Sequence, residues 1–336
     1  MRDANPDSAD GQDALAKALS RIAPRIDPAA GGIENLQRLS GGASQETWAF
    51  ELKGGRRDKL ILRRAPNLDR SGMSGIGMEA EARVITRAAA AGVPVPRVVH
   101  ELHPDDKAGH GFIMSRIEGD ALPARIFRNK NLAPARAKFA FQAGKTLAAI
   151  HQTDARDLGI PHQSPQQAVD DLQERHASFG TPRPVFSLAL QWLRTNTPEN
   201  VTPRLVHGDF RMGNLMLDPE GINGVLDWEL AHIGDPHADL GWLCMESWRF
   251  GRPEPVGGLG SRADLFAGYA AAGGAPINPA TVRWWEVLAA LRWGVIIEEM
   301  AAWVRDGTDT SVERHVIARR ASETEAILLL HMLEKE

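Results

Sequence analysis

The chain has 336 residues, 43% hydrophobic and 24% charged, with a formal net charge of -4; this excludes a largely disordered chain and predicts two domains, or one domain of two lobes, able to bury a core without cross-links. Its one cysteine, Cys244, excludes an internal disulfide and fits a reducing, cytoplasmic setting. Mild acidity disfavours a nucleic-acid partner, no apolar run approaches the roughly 18 residues of a membrane span, and the polar, acidic start lacks the regions of a secretory signal.

Residues 1–12 read as a mobile tail. Helical spacing follows over Ala14–Ile26, with Leu15, Leu19 and Ile22 on one face. Leu36–Leu52 reads as strand, glycine turn and strand, and Lys59–Arg63 as a third strand closed by Pro66. Asn67–Gly77, rich in glycine and serine, reads as mobile. Met78–Ala91 has the composition of a helix, with Gly92 to end it and Pro94 and Pro96 to prevent its continuation. Two more strands are expected around Arg97–Leu102 and Gly111–Ile117. Beyond Glu118-Gly-Asp120 the pattern turns helical over Pro134–His151 and Ser187–Thr195. A strand–loop–strand block spans Leu205–Trp228, and Trp284, Leu288, Leu291 and Val295 repeat at helical spacing. Apart from Ser187–Thr195, residues 178–204 and 250–280 are hard to place. The expected class is therefore α+β: a small, mostly antiparallel N-terminal lobe with one long helix over residues 1–117, and a larger, mainly helical lobe over 118–336.

The chemistry concentrates in Leu205-Val-His-Gly-Asp-Phe-Arg-Met-Gly-Asn-Leu-Met-Leu-Asp218 and Gly224-Val-Leu-Asp-Trp-Glu229. Asn214 precedes one apolar run and Asp227 follows the next. If the runs pair as a hairpin, an amide oxygen meets a carboxylate at its open end, an oxygen site suited to Mg²⁺. Asp209 then lies nearby, able to orient a hydroxyl and accept its proton. Taken singly, each of these residues is ordinary turn chemistry; the ordered pattern between apolar strands is what carries weight.

His-x-Asp, Asn five residues on, and Asp on the next strand resemble the catalytic centre of protein-kinase-like phosphotransferases. Gly208, Asp227-Trp-Glu229 and Ile233-Gly-Asp-Pro-His-Ala-Asp-Leu-Gly241 are similar to the aminoglycoside phosphotransferase/choline kinase superfamily. Within it, the resemblance is to the branch related to the kinase-like domain fused to acyl-CoA dehydrogenases, and it covers roughly Leu36–Leu243. The resemblance implies a bilobal protein-kinase-like fold and ATP with Mg²⁺. It implies Asp209 as catalytic base, Asn214 and Asp227 as metal ligands, and His207 as a brace for the loop. Met216 and Leu226 would pack against the adenine. Asp235 and Asp239 read as structural, with Asp239 holding the loop by hydrogen bonds. His232 and His237 read as loop histidines.

At the nucleotide end, Ser40-Gly-Gly-Ala-Ser44 stands where a phosphate-covering loop belongs, though it is also an ordinary hairpin turn. Gly42 would let the backbone approach phosphate, and Ser44 could donate to it. Strand alternation puts Ile61 and Arg63 on one face and Leu62 and Arg64 on the other. Kinases carry a lysine where Arg63 stands; an arginine keeps the charge and forks onto phosphate or carboxylate. Arg64 and Lys59 remain alternatives for that role. Glu81 is the candidate partner, with Glu79 its competitor on another side of the helix. Phe112–Ile117 resembles the last strand and hinge, with Met114 limiting the adenine pocket and the backbone of Ser115, Arg116 and Ile117 bonding the base.

The acceptor is expected between Asp209 and the C-terminal helices, whose tryptophans are mostly core. From Leu240 onward there are 13 acidic and 10 basic residues, unlike the acidic cleft that a polycationic antibiotic favours. The function expected is phosphorylation of a hydroxyl on a small metabolite, such as a hydroxyacyl thioester. An antibiotic phosphotransferase and a catalytically silent nucleotide-binding module are the alternatives.

Overall fold

The computed structural model describes residues 9–41, 45–65, 75–199 and 201–333. The expected glycine-loop residues Gly42 and Ser44, and most of Asn67–Gly77, lie outside them. The chain forms two compact units. The first comprises Met1–Gly119 with Asp154–Ile160 and Asn223–Ala231; the second comprises Asp120–Thr153, Pro161–Ile222 and His232–Glu336.

The first unit is built on a five-stranded antiparallel sheet of β1 (Ala30–Gly41), β2 (Glu46–Gly54), β3 (Lys59–Ala65), β4 (Val98–Glu101) and β5 (His110–Ser115), in the order β1-β2-β3-β5-β4. Helix α1 (Ala9–Ile26) starts within the expected tail and covers one face of this sheet. Leu15, Leu19 and Ile22 pack there with Trp48, Phe50, Leu60, Leu62 and Ile113. Each fully buried leucine stabilises this layer by roughly 2 kcal/mol. The period of two in β3 therefore turns Ile61 and Arg63 to the other face. Helix α2 (Met78–Ala90) ends where Gly92 takes φ +83°, a left-handed conformation that favours glycine. The segment Asn223–Ala231 is tied into this unit by Val225 N–H donating to Pro94 O at 2.7 Å and by the wholly buried Trp228.

The second unit contains α3 (Pro123–Arg128), α4 (Ala133–His151), α5 (Pro165–Ser178), α6 (Pro184–Thr195) and the short strand β6 (Arg204–Val206). Strand β7 (Leu215–Asp218) turns through Asp218, whose Oδ1 accepts from Glu220 and Gly221 N–H, into β8 (Gly221–Val225), and the two form a hairpin sheet. Strand β9 (His232–Gly234) pairs with β6. Then come α7 (His237–Cys244), α8 (Arg262–Ala271), α9 (Pro279–Asp306), α10 (Val312–Ala318) and α11 (Ala321–Leu333). The core gathers Trp242, Trp248, Trp284 and Trp285 with Phe186, Leu190, Leu193, Leu288 and Leu291. Gly241 brings α7 directly onto α9, because a Cβ there would stand 2.7 Å from Trp285 Cβ and 2.9 Å from Glu286 N. Among the described residues no helix is long and apolar enough to cross a membrane.

Candidate active site

In the first unit, β3 presents Arg63 and α2 presents Glu81, both largely withdrawn from water at 14% and 2% side-chain exposure. Arg63 Nε lies 3.2 Å from Glu81 Oε1, an ion pair without hydrogen-bond alignment. Arg63 Nη2 donates to Asp227 Oδ1 at 2.8 Å, Gln45 Oε1 at 2.9 Å and Glu229 Oε2 at 3.2 Å. One guanidinium thus serves three carboxylates. Burial pushes the Glu81 carboxyl up to about 7; Arg63 works against this, and Asp227 and Glu229 add to it. Burial opposes the Arg63 charge, but Glu81 and Asp227 hold its pKa above the ordinary value. Asp227 itself has φ +67°, a left-handed conformation that aspartate tolerates better than most side chains.

The neighbouring charges are engaged elsewhere. Arg64 donates to Glu46 Oε2 at 2.8 Å and Ala108 O at 3.1 Å. Lys59 pairs with Glu118 at 3.0 Å on the surface. Glu79 is exposed. Register places Ile61 opposite Met114 and Arg63 opposite Phe112. Ser115 N–H donates to Arg97 O at 2.9 Å, and Arg116 N–H donates to Lys59 O at 3.0 Å. Among the described residues, only the Ile117 N–H of these three has no acceptor. Leu226 follows the buried Val225 and is itself half-buried.

In the second unit, the loop from His207 to Asn214 is held from beneath. Asp239, wholly buried on α7, accepts from His207 N–H at 2.8 Å, Gly208 N–H at 2.9 Å and His151 Nε2 at 3.2 Å. Burial works against this charge, but His151 and the loop N–H groups keep the carboxyl below its ordinary value. His151 in turn meets the Tyr269 hydroxyl at 2.9 Å. His207 Nδ1 accepts from Asp209 N–H at 3.2 Å, and Arg292 of α9 donates to Gly208 O at 3.1 Å.

Asp209 is 13% exposed at its side chain. Its Oδ1 accepts from Trp242 Nε1 at 2.7 Å and Arg211 Nε at 2.9 Å; its Oδ2 accepts from Asn214 Nδ2 at 2.6 Å. Asn214 Nδ2 also donates to Asp209 O at 3.0 Å. With its nitrogen committed to a carboxylate, the amide orientation is fixed, and Asn214 Oδ1 is the atom free to face a cation. Asn214 Oδ1 and the partly exposed carboxylate of Asp227 are both hard oxygen donors, the type Mg²⁺ takes. Met216 is half-buried between the fully buried Leu215 and Leu217. His237 is engaged with Asp235 at 2.7 Å, and among the described residues no cluster of three or more His, Cys, Asp or Glu could hold a metal.

The sequence reading assigned no role to Arg211, Glu229 or Arg292, and took Trp242 with the other tryptophans as core or pocket lining. Spacing was their one signal: Arg211 and Glu229 each stand two residues beyond a singled-out aspartate, and Trp242 stands one helical turn beyond Asp239.

The profile of the phosphotransferase enzyme family (APH) matches residues 35–285. Acyl-CoA dehydrogenase family member 10 of Mus musculus is 29% identical over 249 residues, which are 70% of this chain and 22% of that protein; the chain thus spans a minor part of this relative. A structure from Ralstonia eutropha, provisionally described as an aminoglycoside phosphotransferase, superposes with a TM-score of 0.76 at 22% identity, over 94% of this chain and 97% of that one. Aminoglycoside phosphotransferase APH(4)-Ia, solved with AMP-PNP and hygromycin B, superposes with a TM-score of 0.62 at 16% identity, over 95% and 100% of the two chains. With an α+β, kinase-like fold and a profile match over most of its length, the chain belongs to the phosphotransferase enzyme family.

Proposed function

We propose that the protein transfers the γ-phosphoryl group of ATP, with Mg²⁺, to a hydroxyl of a small molecule. The observation that carries this reading is the Asp209 carboxylate, little exposed, bonded by three side-chain donors and mounted on a loop pinned by Asp239. Asp209 orients the acceptor hydroxyl and takes its proton. Arg63, oriented by Glu81, neutralises phosphate charge, and Ile117 N–H bonds the base edge beside Met114. Ile61, Leu226 and Met216 contribute apolar surface to the adenine. Asn214 and Asp227 would hold Mg²⁺, which would supply positive charge to the phosphates. The work is positioning and electrostatics. AMP-PNP in a structural neighbour supports a nucleotide of this kind.

For the acceptor, a hydroxyacyl thioester or related metabolite is favoured. The curated relative is named for an acyl-CoA dehydrogenase. The side chains around Asp209 include Arg211, and Arg292 bonds the adjacent Gly208; two cations suit a polycationic aminoglycoside poorly. A second reading, a silent nucleotide-binding module, draws support from the guanidinium of Arg63 on Asp227, which competes with a cation for that carboxylate.

An ADP-release assay with ATP and Mg²⁺ over hydroxyacyl-CoAs, amino alcohols and aminoglycosides tests these readings. Acceptor-stimulated release should fall roughly 10²- to 10⁴-fold in Asp209→Asn while ATP binding persists. Full activity in that variant would sink the base assignment. Silence over the whole panel with ATP bound would favour the silent module.

A further inference from the structure

Three N–H groups reach the Asp209 carboxylate, and they divide unequally between its oxygens. Two fall on Oδ1, from Trp242 Nε1 at 2.7 Å and Arg211 Nε at 2.9 Å; one falls on Oδ2, from Asn214 Nδ2 at 2.6 Å. Arg211 is a local neighbour on the same loop, with a long and partly exposed side chain. Trp242 comes from a different element, is 5% exposed, and has only two side-chain torsions. Its ring is braced on several sides. The Arg292 guanidinium lies 4.6 Å from its centroid while donating to Gly208 O at 3.1 Å. The Trp248 ring packs at 5.5 Å, and Arg211 lies over Trp248 at 4.4 Å. One turn earlier on α7, Asp239 holds the N–H groups of His207 and Gly208. A single short helix therefore grips the loop twice, by its main chain through Asp239 and by its carboxylate through Trp242.

We infer that Trp242 is a positioning residue for Asp209: its indole N–H fixes the carboxylate so that Oδ2 meets the acceptor hydroxyl. This rests on the reading of Asp209 as the base. In the step it sets up, the acceptor O–H bond breaks and its proton goes to Oδ2. The acceptor oxygen forms the new bond to the γ-phosphorus. The bond from that phosphorus to the β,γ-bridging oxygen breaks, and its electron pair leaves on ADP. A tryptophan that served only as core would give its N–H no part in this.

Two replacements separate the roles. Trp242→Phe keeps a ring and removes the donor; β-(3-benzothienyl)alanine at position 242 keeps the shape and puts sulfur where the N–H stands. In the full chain, with ATP, Mg²⁺ and an acceptor from the panel, both should lower kcat roughly 10- to 100-fold. KM for ATP should stay unchanged, and the isostere should melt with the wild type. Wild-type kcat in the isostere beside an inactive Asp209→Asn overturns the role of Trp242 alone. Full activity in Asp209→Asn overturns the base and this inference with it. An acceptor-independent measurement is the indole N–H resonance of Trp242 in chain labelled with ¹⁵N-tryptophan, assigned by its loss in Trp242→Phe. It should move upfield and exchange faster with water in Asp209→Ala; an unmoved resonance overturns the hydrogen bond on which the inference stands.

Discussion

The Arg63 cluster and the Asp209 cluster are built on opposite plans. Around Arg63, one cation is surrounded by Glu81, Asp227 and Glu229. Around Asp209, one carboxylate is surrounded by the N–H groups of an indole, an amide and a guanidinium. The first sets three carboxylates around one cation, and burial above all, with Asp227 and Glu229 adding to it, pushes the Glu81 carboxyl up to about 7. It answers to pH. The second is held by directed hydrogen bonds of 2.6 to 2.9 Å and answers to geometry. This chain assigns the two properties to different residues in different units.

The sharpest way to break the contrast is at Asp209, where the asparagine variant should cost the orders of magnitude in turnover given above. Loss of the Trp242 donor comes next. Asp239→Ala attacks the same site from below. Removing a wholly buried carboxylate orphans two loop N–H groups and His151. It should cost about 3–5 kcal/mol of stability, read as a lowered denaturant midpoint. On the other side, Glu81→Gln removes the group that answers to pH. A carboxyl raised above its unfolded value contributes stability that is present in acid and lost as pH rises. The wild type should therefore lose on the order of 3 kcal/mol between about pH 4.5 and 7 relative to Glu81→Gln, because each pKa unit is worth about 1.4 kcal/mol. Parallel urea curves for the two proteins across that window would refute the assignment. The smallest effect belongs to Lys59→Ala. Lys59 and Glu118 pair at 3.0 Å with side chains 53% and 65% exposed, and stability should change by less than about 1 kcal/mol.

Much of the positive half of this contrast was legible from local pattern. A period of two in Lys59–Arg63 separates Arg63 from Arg64, and burial of Leu60 and Leu62 under α1 confirms that separation of faces. The end of α2 is legible in Gly92, and the hold of Asp239 on the loop is what the resemblance of Ile233–Gly241 implies and what its hydrogen bonds show. Other features were present but weakly marked. Helix α5 was not assigned, although Ser164-Pro-Gln-Gln167 is a capping box: Ser164 Oγ accepts from Gln167 N–H at 3.2 Å, and Gln167 Oε1 accepts from Ser164 N–H at 2.8 Å. Strand β1 starts at Ala30, well before the expected Leu36, because its pairing with β2 supplies what its glycines lack in intrinsic preference. Glu229 and Trp242 were least legible. Their partners lie 166 and 33 residues away, and no local period encodes such a meeting. The return of Asn223–Ala231 to the first unit is of the same kind.

Gly241 gives the arrangement a particular fragility. The helix that grips the His207–Asn214 loop rests on α9 through a side chain consisting of one hydrogen atom. A single methyl group there would touch no substrate and alter no charge, yet it would lift Asp239 and Trp242 together. If Asp209 is the base we propose, the alignment of its proton transfer depends on a missing side chain in another element, at a position far from any reacting atom.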